Sequence, residues 1–271
     1  MGEMLLNKPI ANTFRWLHVN GTKVNVPDTV LERSVDVEEN GEETVVTECA
    51  TPNEKFVGSV GENGTLRLIQ IRRKEDPEQV INDVSVRCAK GARFEWYRVI
   101  LGGAATYDNC SVTLDGTESS FAASIGYKLG GTEKADINCE AIHTGPKSRS
   151  DIYSSGVLSG QADKLLRGTI DLRHGCVGAE GTEMEDVLLM DEDVRNRTVP
   201  VILCTEEDVA GAHGATIGRP DADMVYYLQS RGVPREEIEK MLARAKMDAI
   251  IRRIPAESVR DALLKAEDEE A

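Results

Sequence analysis

The side chains able to bind a metal or act as nucleophiles are few. Six cysteines (Cys49, Cys88, Cys110, Cys139, Cys176 and Cys204) and four histidines (His18, His143, His174 and His213) are spread along 271 residues. No C-x-x-C pair occurs, which argues against a zinc ribbon or a thioredoxin-like motif. The chain has no G-x-x-x-x-G-K-[ST] loop, so it is not expected to bind or hydrolyse ATP itself. G-x-G-x-x-G, H-E-x-x-H, G-x-S-x-G and EF-hand patterns are missing too, which leaves classical hydrolytic or acid–base catalysis weakly supported. What remains is thiolate and imidazole chemistry, suited to iron–sulfur clusters, copper(I) or zinc. His174 and Cys176 stand two apart and share a side if the strand from Ile170 continues. Cys204 and His213 lie on consecutive segments. The plainer reading of most of these cysteines is a small buried hydrophobe. His213 is different: Gly211, Ala212, Gly214 and Ala215 surround it with little side-chain bulk, leaving its imidazole open to a ligand or partner.

The composition narrows the setting. The formal net charge of −15 argues against binding duplex nucleic acid or an anionic membrane surface. No apolar run approaches the roughly 20 residues of a membrane helix. The N-terminal residues Met1–Pro9 lack the apolar core of a signal peptide, so a cytoplasmic location is expected. Disulfides are not expected there.

The elements that must position these side chains change character near residue 218. Over residues 1–80, Asn20-Gly21, Asn40-Gly41 and Asn63-Gly64 sit between β-type runs and predict hairpins. Phe14 and Trp16 are expected to cover one end of a core. From residue 84 the runs Val84/Val86/Cys88, Cys110/Val112/Leu114, Ala135/Ile137/Cys139/Ala141 and Ile170/Leu172 alternate apolar with polar. Gly-rich corners separate them, which fits a sandwich, a barrel or a β-solenoid. The step from Cys88 to Cys110 is expected to be the length of one coil. After residue 220 the pattern is helical. Asp221 is an N-cap, Gly232 a C-terminal stop and Pro234 a restart. Ile238, Met241, Leu242, Ala245 and Ala249 form one apolar stripe, either core or interface. Pro255 restarts a third helix, and the tail Glu267–Glu270 is expected to fray.

At His213 the sequence resembles a known family. Asp208-Val209-Ala210-Gly211-Ala212-His213-Gly214-Ala215-Thr216-Ile217-Gly218, followed by Tyr226-Tyr227-Leu228-Gln229-Ser230-Arg231-Gly232, is similar to the hallmark of SufB/SufD proteins. Val187-Leu188-Leu189-Met190 and Thr198-Val199-Pro200 extend the likeness. The resemblance implies a mainly β fold: a right-handed parallel β-helix core over 81–218, an N-terminal β segment over 1–80 and a helical domain over 219–271. It implies a non-enzymatic scaffold, or scaffold partner, in iron–sulfur cluster assembly, holding a cluster transiently. The implied partner is a SufC-like ABC ATPase, docked on the C-terminal helices and handling the ATP. The β-helix edge is implied to pair with a second copy or a SufB/SufD-like paralogue. The sequence departs from the family at the cysteine that SufB proteins carry before the Val187-Leu188-Leu189 segment, where Glu185 is the nearest counterpart. Gly214 and Gly211 stand where the glutamate of SufB and the cysteine of many SufD proteins would be. His213, Glu185 and Cys204 are therefore the candidate cluster ligands. Two other readings are a structural platform without ligands of its own and a β-solenoid enzyme acting on a polysaccharide through acidic residues.

Overall fold

The computed structural model describes residues 2–10, 15–49 and 51–270. Most of them wind into a parallel β-solenoid of about six turns. One sheet holds β3 (Leu31–Val37), β5 (Asn53–Val60), β7 (Gln79–Cys88), β9 (Ala105–Leu114), β11 (Lys134–His143), β13 (Asp163–Leu172) and β15 (Arg195–Cys204). The facing sheet holds β4 (Glu42–Glu48), β6 (Thr65–Arg73), β8 (Arg93–Leu101), β10 (Ser120–Leu129), β12 (Arg149–Leu158), β14 (Glu180–Leu189) and β16 (Ala210–Gly218). The odd-numbered sheet runs from β5 through β7 to β9, and the even-numbered sheet from β6 to β8, with no break around residue 80.

The period-2 runs are strands, and their apolar sets point into the lumen between the sheets. Because strands stack in register, like side chains line up in columns. Cys110 lies beside Cys139, and Leu68, Trp96, Ala123 and Ile152 form another column. Burial pushes the Cys88 thiol up to about 12 and raises that of Cys110 as well, so these cysteines are packing groups. A buried Arg98–Asp108 pair at 2.7 Å also sits in the lumen, with the Cys49 thiol accepting from Arg98.

Several local expectations are corrected. Cys88 lies beside Leu114 rather than Cys110, and Cys110 lies beside Cys139. A coil is therefore longer than the step from Cys88 to Cys110, because it must cross both sheets and two corners. Asn40-Gly41 and Asn63-Gly64 are coil corners: the strands they join belong to opposite sheets. Asn40 and Asn63 do adopt positive φ (57° and 55°), as an Asn-Gly turn requires, but the chain leaves the corner in the other layer. Trp16 is exposed rather than covering a core, and Phe14 lies outside the described residues.

The N-terminal strands β1 (Gly2–Leu6) and β2 (Thr22–Val26) pair antiparallel and lie on the outer face of the odd-numbered sheet. Asp136 fastens them: it accepts from Asn7 (2.7 Å), Thr22 and the buried Arg167, whose guanidinium also donates to the Val19 carbonyl at 2.6 Å.

Three helices follow: α1 (Ala222–Ser230), α2 (Arg235–Ile251) and α3 (Glu257–Glu270). The Asp221 carboxylate caps α1 by accepting from Asp223 and Met224. Helix α2 lies over β10 and β12 of the even-numbered sheet, and its Met247, Ile250 and Ile251 share one buried cluster with Ile69, Ile71 and Val99 of β6 and β8 and with Ile254 and Leu263. Gly126 makes room for it, since a Cβ there would lie 2.8 Å from Ile250 Cγ2. The expected stripe splits: Ile238 is buried and Leu242 half-buried, while Met241, Ala245 and Ala249 are exposed. The tail is tied down further than expected, because buried Glu267 on α3 pairs with Lys128 at 3.2 Å.

Candidate functional site

The solenoid ends in an open coil. Among the described residues β15 pairs only with β13, and β16 only with β14, so each closes its sheet. Their outer backbone groups have no further strand to bond, the condition under which sheets add another chain. β16 is also low in side-chain volume: Ala210, Gly211, Ala212, Gly214, Ala215 and Gly218 leave its backbone accessible.

Beneath this coil is a polar stack. On β14 the buried positions alternate as Gly181, Glu183, Glu185 and Val187, so both glutamates point into the lumen. Glu185, 2 % exposed, accepts from Lys164, Tyr127 (3.1 Å) and Thr198. Lys164 is fully buried, also donates to Thr198 at 3.1 Å, and sits 5.5 Å from the Tyr127 ring centroid. Burial lowers the Lys164 ammonium from its usual range, against the pull of Glu185. Glu183 has less support. One carboxyl oxygen has no hydrogen-bond partner. Burial first, and the neighbouring Glu185 second, push it up to about 7. Gly168 leaves it room: a Cβ there would lie 2.3 Å from its carboxyl carbon.

The three sequence-predicted ligands occupy different settings. His213 aligns with Glu183 in the parallel register, hence on the lumen side of β16, and is exposed because no coil covers it. Cys204 aligns with Leu172 at the end of β15; it too is exposed, and its thiol donates to the Glu206 carbonyl at 3.0 Å. Glu185 lies one coil deeper, held by Lys164. Among the described residues no three His, Cys, Asp or Glu side chains converge as a metal-holding group. His174 and Cys176 do not share a strand side: β13 ends at Leu172, leaving His174 91 % exposed and Cys176 buried. Sequence reasoning misses Lys164, Glu183 and Tyr127. The alternation Gly181/Glu183/Glu185/Val187 is the available signal, hidden because its inward members are charged.

A family model described as SUF system FeS cluster assembly, SufBD core domain, matches residues 22–246. The chain belongs to the SufB/SufD family. It is 31 % identical over 134 residues to the iron-sulfur cluster assembly protein SufD of Bacillus subtilis, covering 49 % of this chain and 31 % of that one. It is 27 % identical over 171 residues to the SufBD family protein Rv1461 of Mycobacterium tuberculosis, covering 63 % and 20 %. The chloroplastic SufBD family protein ABCI8 of Arabidopsis thaliana is 27 % identical over 150 residues, covering 54 % and 26 %. The chain thus spans a third or less of the length of these relatives.

In this SufB/SufD chain a second surface stands beside the open coil. Helix α1 buries none of its side chains, leaving Tyr226 (75 % exposed), Tyr227 and Met224 in solvent, and Met241 of α2 is exposed as well. Among the described residues no helix is long and apolar enough to cross a membrane.

Proposed function

We propose that this chain is a scaffold or scaffold-partner subunit of a SUF-type iron–sulfur assembly complex, working in the cytoplasm with an ABC-type ATPase of the SufC kind. The cluster is its cargo rather than a resident cofactor. The observation that carries this reading is the placement of His213: an exposed imidazole, on the lumen side of an edge strand, in a coil open to a second subunit. A second copy or a paralogue pairing on β15 and β16 would supply the remaining ligands. Cys204, exposed at the end of β15, is a thiol on the same coil. Glu185 would join only if Lys164 and Thr198 released it. Anaerobic reconstitution of the chain coexpressed with its ATPase is expected to give iron–sulfur absorption that His213→Ala reduces severalfold; full retention by that variant removes His213 as a ligand.

The helical segment 219–271 is the proposed ATPase dock. Tyr226, Tyr227 and Met241 are exposed apolar side chains of this segment that the solenoid does not cover, and exposed apolar groups can serve a partner site. Tyr226→Ser with Met241→Ser should leave the melting temperature unchanged and weaken capture of the ATPase; unchanged capture refutes the dock.

The second reading, a platform without ligands of its own, is favoured by the Lys164–Glu185 pairing. It predicts ATPase binding with no cluster on this chain. The polysaccharide-enzyme reading finds no support in the Glu183/Glu185 pair, which is buried beneath the terminal coil.

A further inference from the structure

A parallel solenoid presents the same backbone edge after every coil. β14 adds to β12, and β16 adds to β14, through one repeated pattern of bonds. By that pattern alone, the first coil of a second copy could add to β15 and β16 in the same way. Such a head-to-tail contact is heterologous and does not close, so it would grow into a fibre. Both ends meet the backbone condition, since among the described residues β3 pairs only with β5 and β4 only with β6. The difference between the ends lies in their side chains.

In the first coil Val35 and Val37 of β3 and Val45 of β4 pack against the lumen core. Side chains alternate along a strand, so Arg33 and Glu43 stand on that same lumen side, and both are exposed. Each heads an apolar column. Arg33 lies beside Phe56, which leads to Val84 and Cys110. Glu43 lies beside Leu66, which leads to Phe94 and Phe121. Followed to the terminal coil, the same columns end at Pro200 and Gly211.

A second copy continuing these columns would set its Arg33 against Pro200 and its Glu43 against Gly211. Neither residue has a side chain that can answer a charge, and a charge buried without a partner is costly. Inward-pointing charges and short edge strands are two means by which sheet edges are blunted. β3 and β4 have seven residues each, against ten in β15 and nine in β16.

We propose that Arg33 and Glu43 are gatekeepers that close the N-terminal end of the solenoid to a second copy of this chain. Copies then cannot join head to tail, and association is confined to the end formed by β15 and β16.

Sedimentation velocity over a hundredfold range of concentration, with negative-stain electron microscopy, tests this on the full chain. Arg33→Val with Glu43→Leu extends both apolar columns. This pair should give chains one solenoid wide whose mean mass rises severalfold with concentration, whereas the wild type should not exceed a dimer. Ser34→Val with Glu42→Leu puts the same side chains on the outward side and should match the wild type. Ile217 shares a column with Val187 of the lumen core, so adding Ile217→Lys to the first pair should stop the growth. If the first pair does not fold, as judged by its melting curve, Arg33→Ala with Glu43→Ala removes both charges without added bulk and decides. A folded variant that lacks both charges and stays at wild-type size overturns the proposal. So do chains formed by the wild type, equal growth of the outward pair, or growth that survives Ile217→Lys. A monomeric wild type satisfies this proposal while counting against the pairing of two copies proposed above, so the two readings fail separately.

Discussion

Glu183 and Glu185 lie on one strand and point the same way, and they differ in what answers their charge. Glu185 has an ammonium, a phenol and a hydroxyl around it. Glu183 has an orphan oxygen and a carboxyl pushed up to about 7. A raised carboxyl pKa means that the folded state holds the proton more firmly than the unfolded chain does. The resulting stability is fully present below about pH 4.5 and is lost as pH rises through about 7. Glu183→Gln is neutral throughout. Relative to the wild type it should gain stability between these values and level off above them, by at most about 3 kcal/mol. Urea unfolding at pH 4.5, 6 and 8 reads this difference; a constant offset would mean that folding does not raise the Glu183 pKa. His213 can be picked out from sequence because glycines and alanines flank it. Lys164 and Glu183 cannot: a charge on the lumen side looks, in one dimension, like a charge facing water.

At the level of elements, α2 is seated by shape. Ile250 meets the sheet where Gly126 lacks a side chain. Ile250→Ala should cost about 2–5 kcal/mol in urea unfolding, whereas a loss below about 0.5 kcal/mol would mean that the seat is loose. The period-2 strands and the three helices are readable because each repeats a simple spacing. The hairpins are misread because Asn-Gly reports a tight corner and is silent about which sheet the chain enters next. The α2 stripe is misread for a related reason. Met241 and Met247 are both apolar and helical, and only the sheet beneath selects the side carrying Met247.

For the whole molecule, the governing asymmetry is between its two ends. The coils stack in register up to β15 and β16, where pairing stops. If two copies join there, Ile217, exposed on β16, lies close to the seam. Ile217→Lys adds charge at an open edge, a change that opposes strand addition. Sedimentation should show a dimer of the wild type shifting toward monomer in this variant; a dimer unaffected by the change would place the contact elsewhere. The resemblance at the His213 motif carries the solenoid and its helical ending, because both are written into the repeats. The N-terminal clasp on Asp136 is not readable, since it joins residues more than a hundred positions apart.

The seat of α2 on β10 and β12 makes the solenoid a ruler. β14 and β16 are the two strands that follow β12, each one strand spacing of about 4.8 Å along the stack. The helical platform and the open end are therefore held about 10 Å apart along that axis. A coil gained or lost ahead of β3 leaves this offset untouched, whereas one inserted after β12 moves the open end by a full graduation. Length can drift at one end of such a molecule while the working distance at the other stays constant.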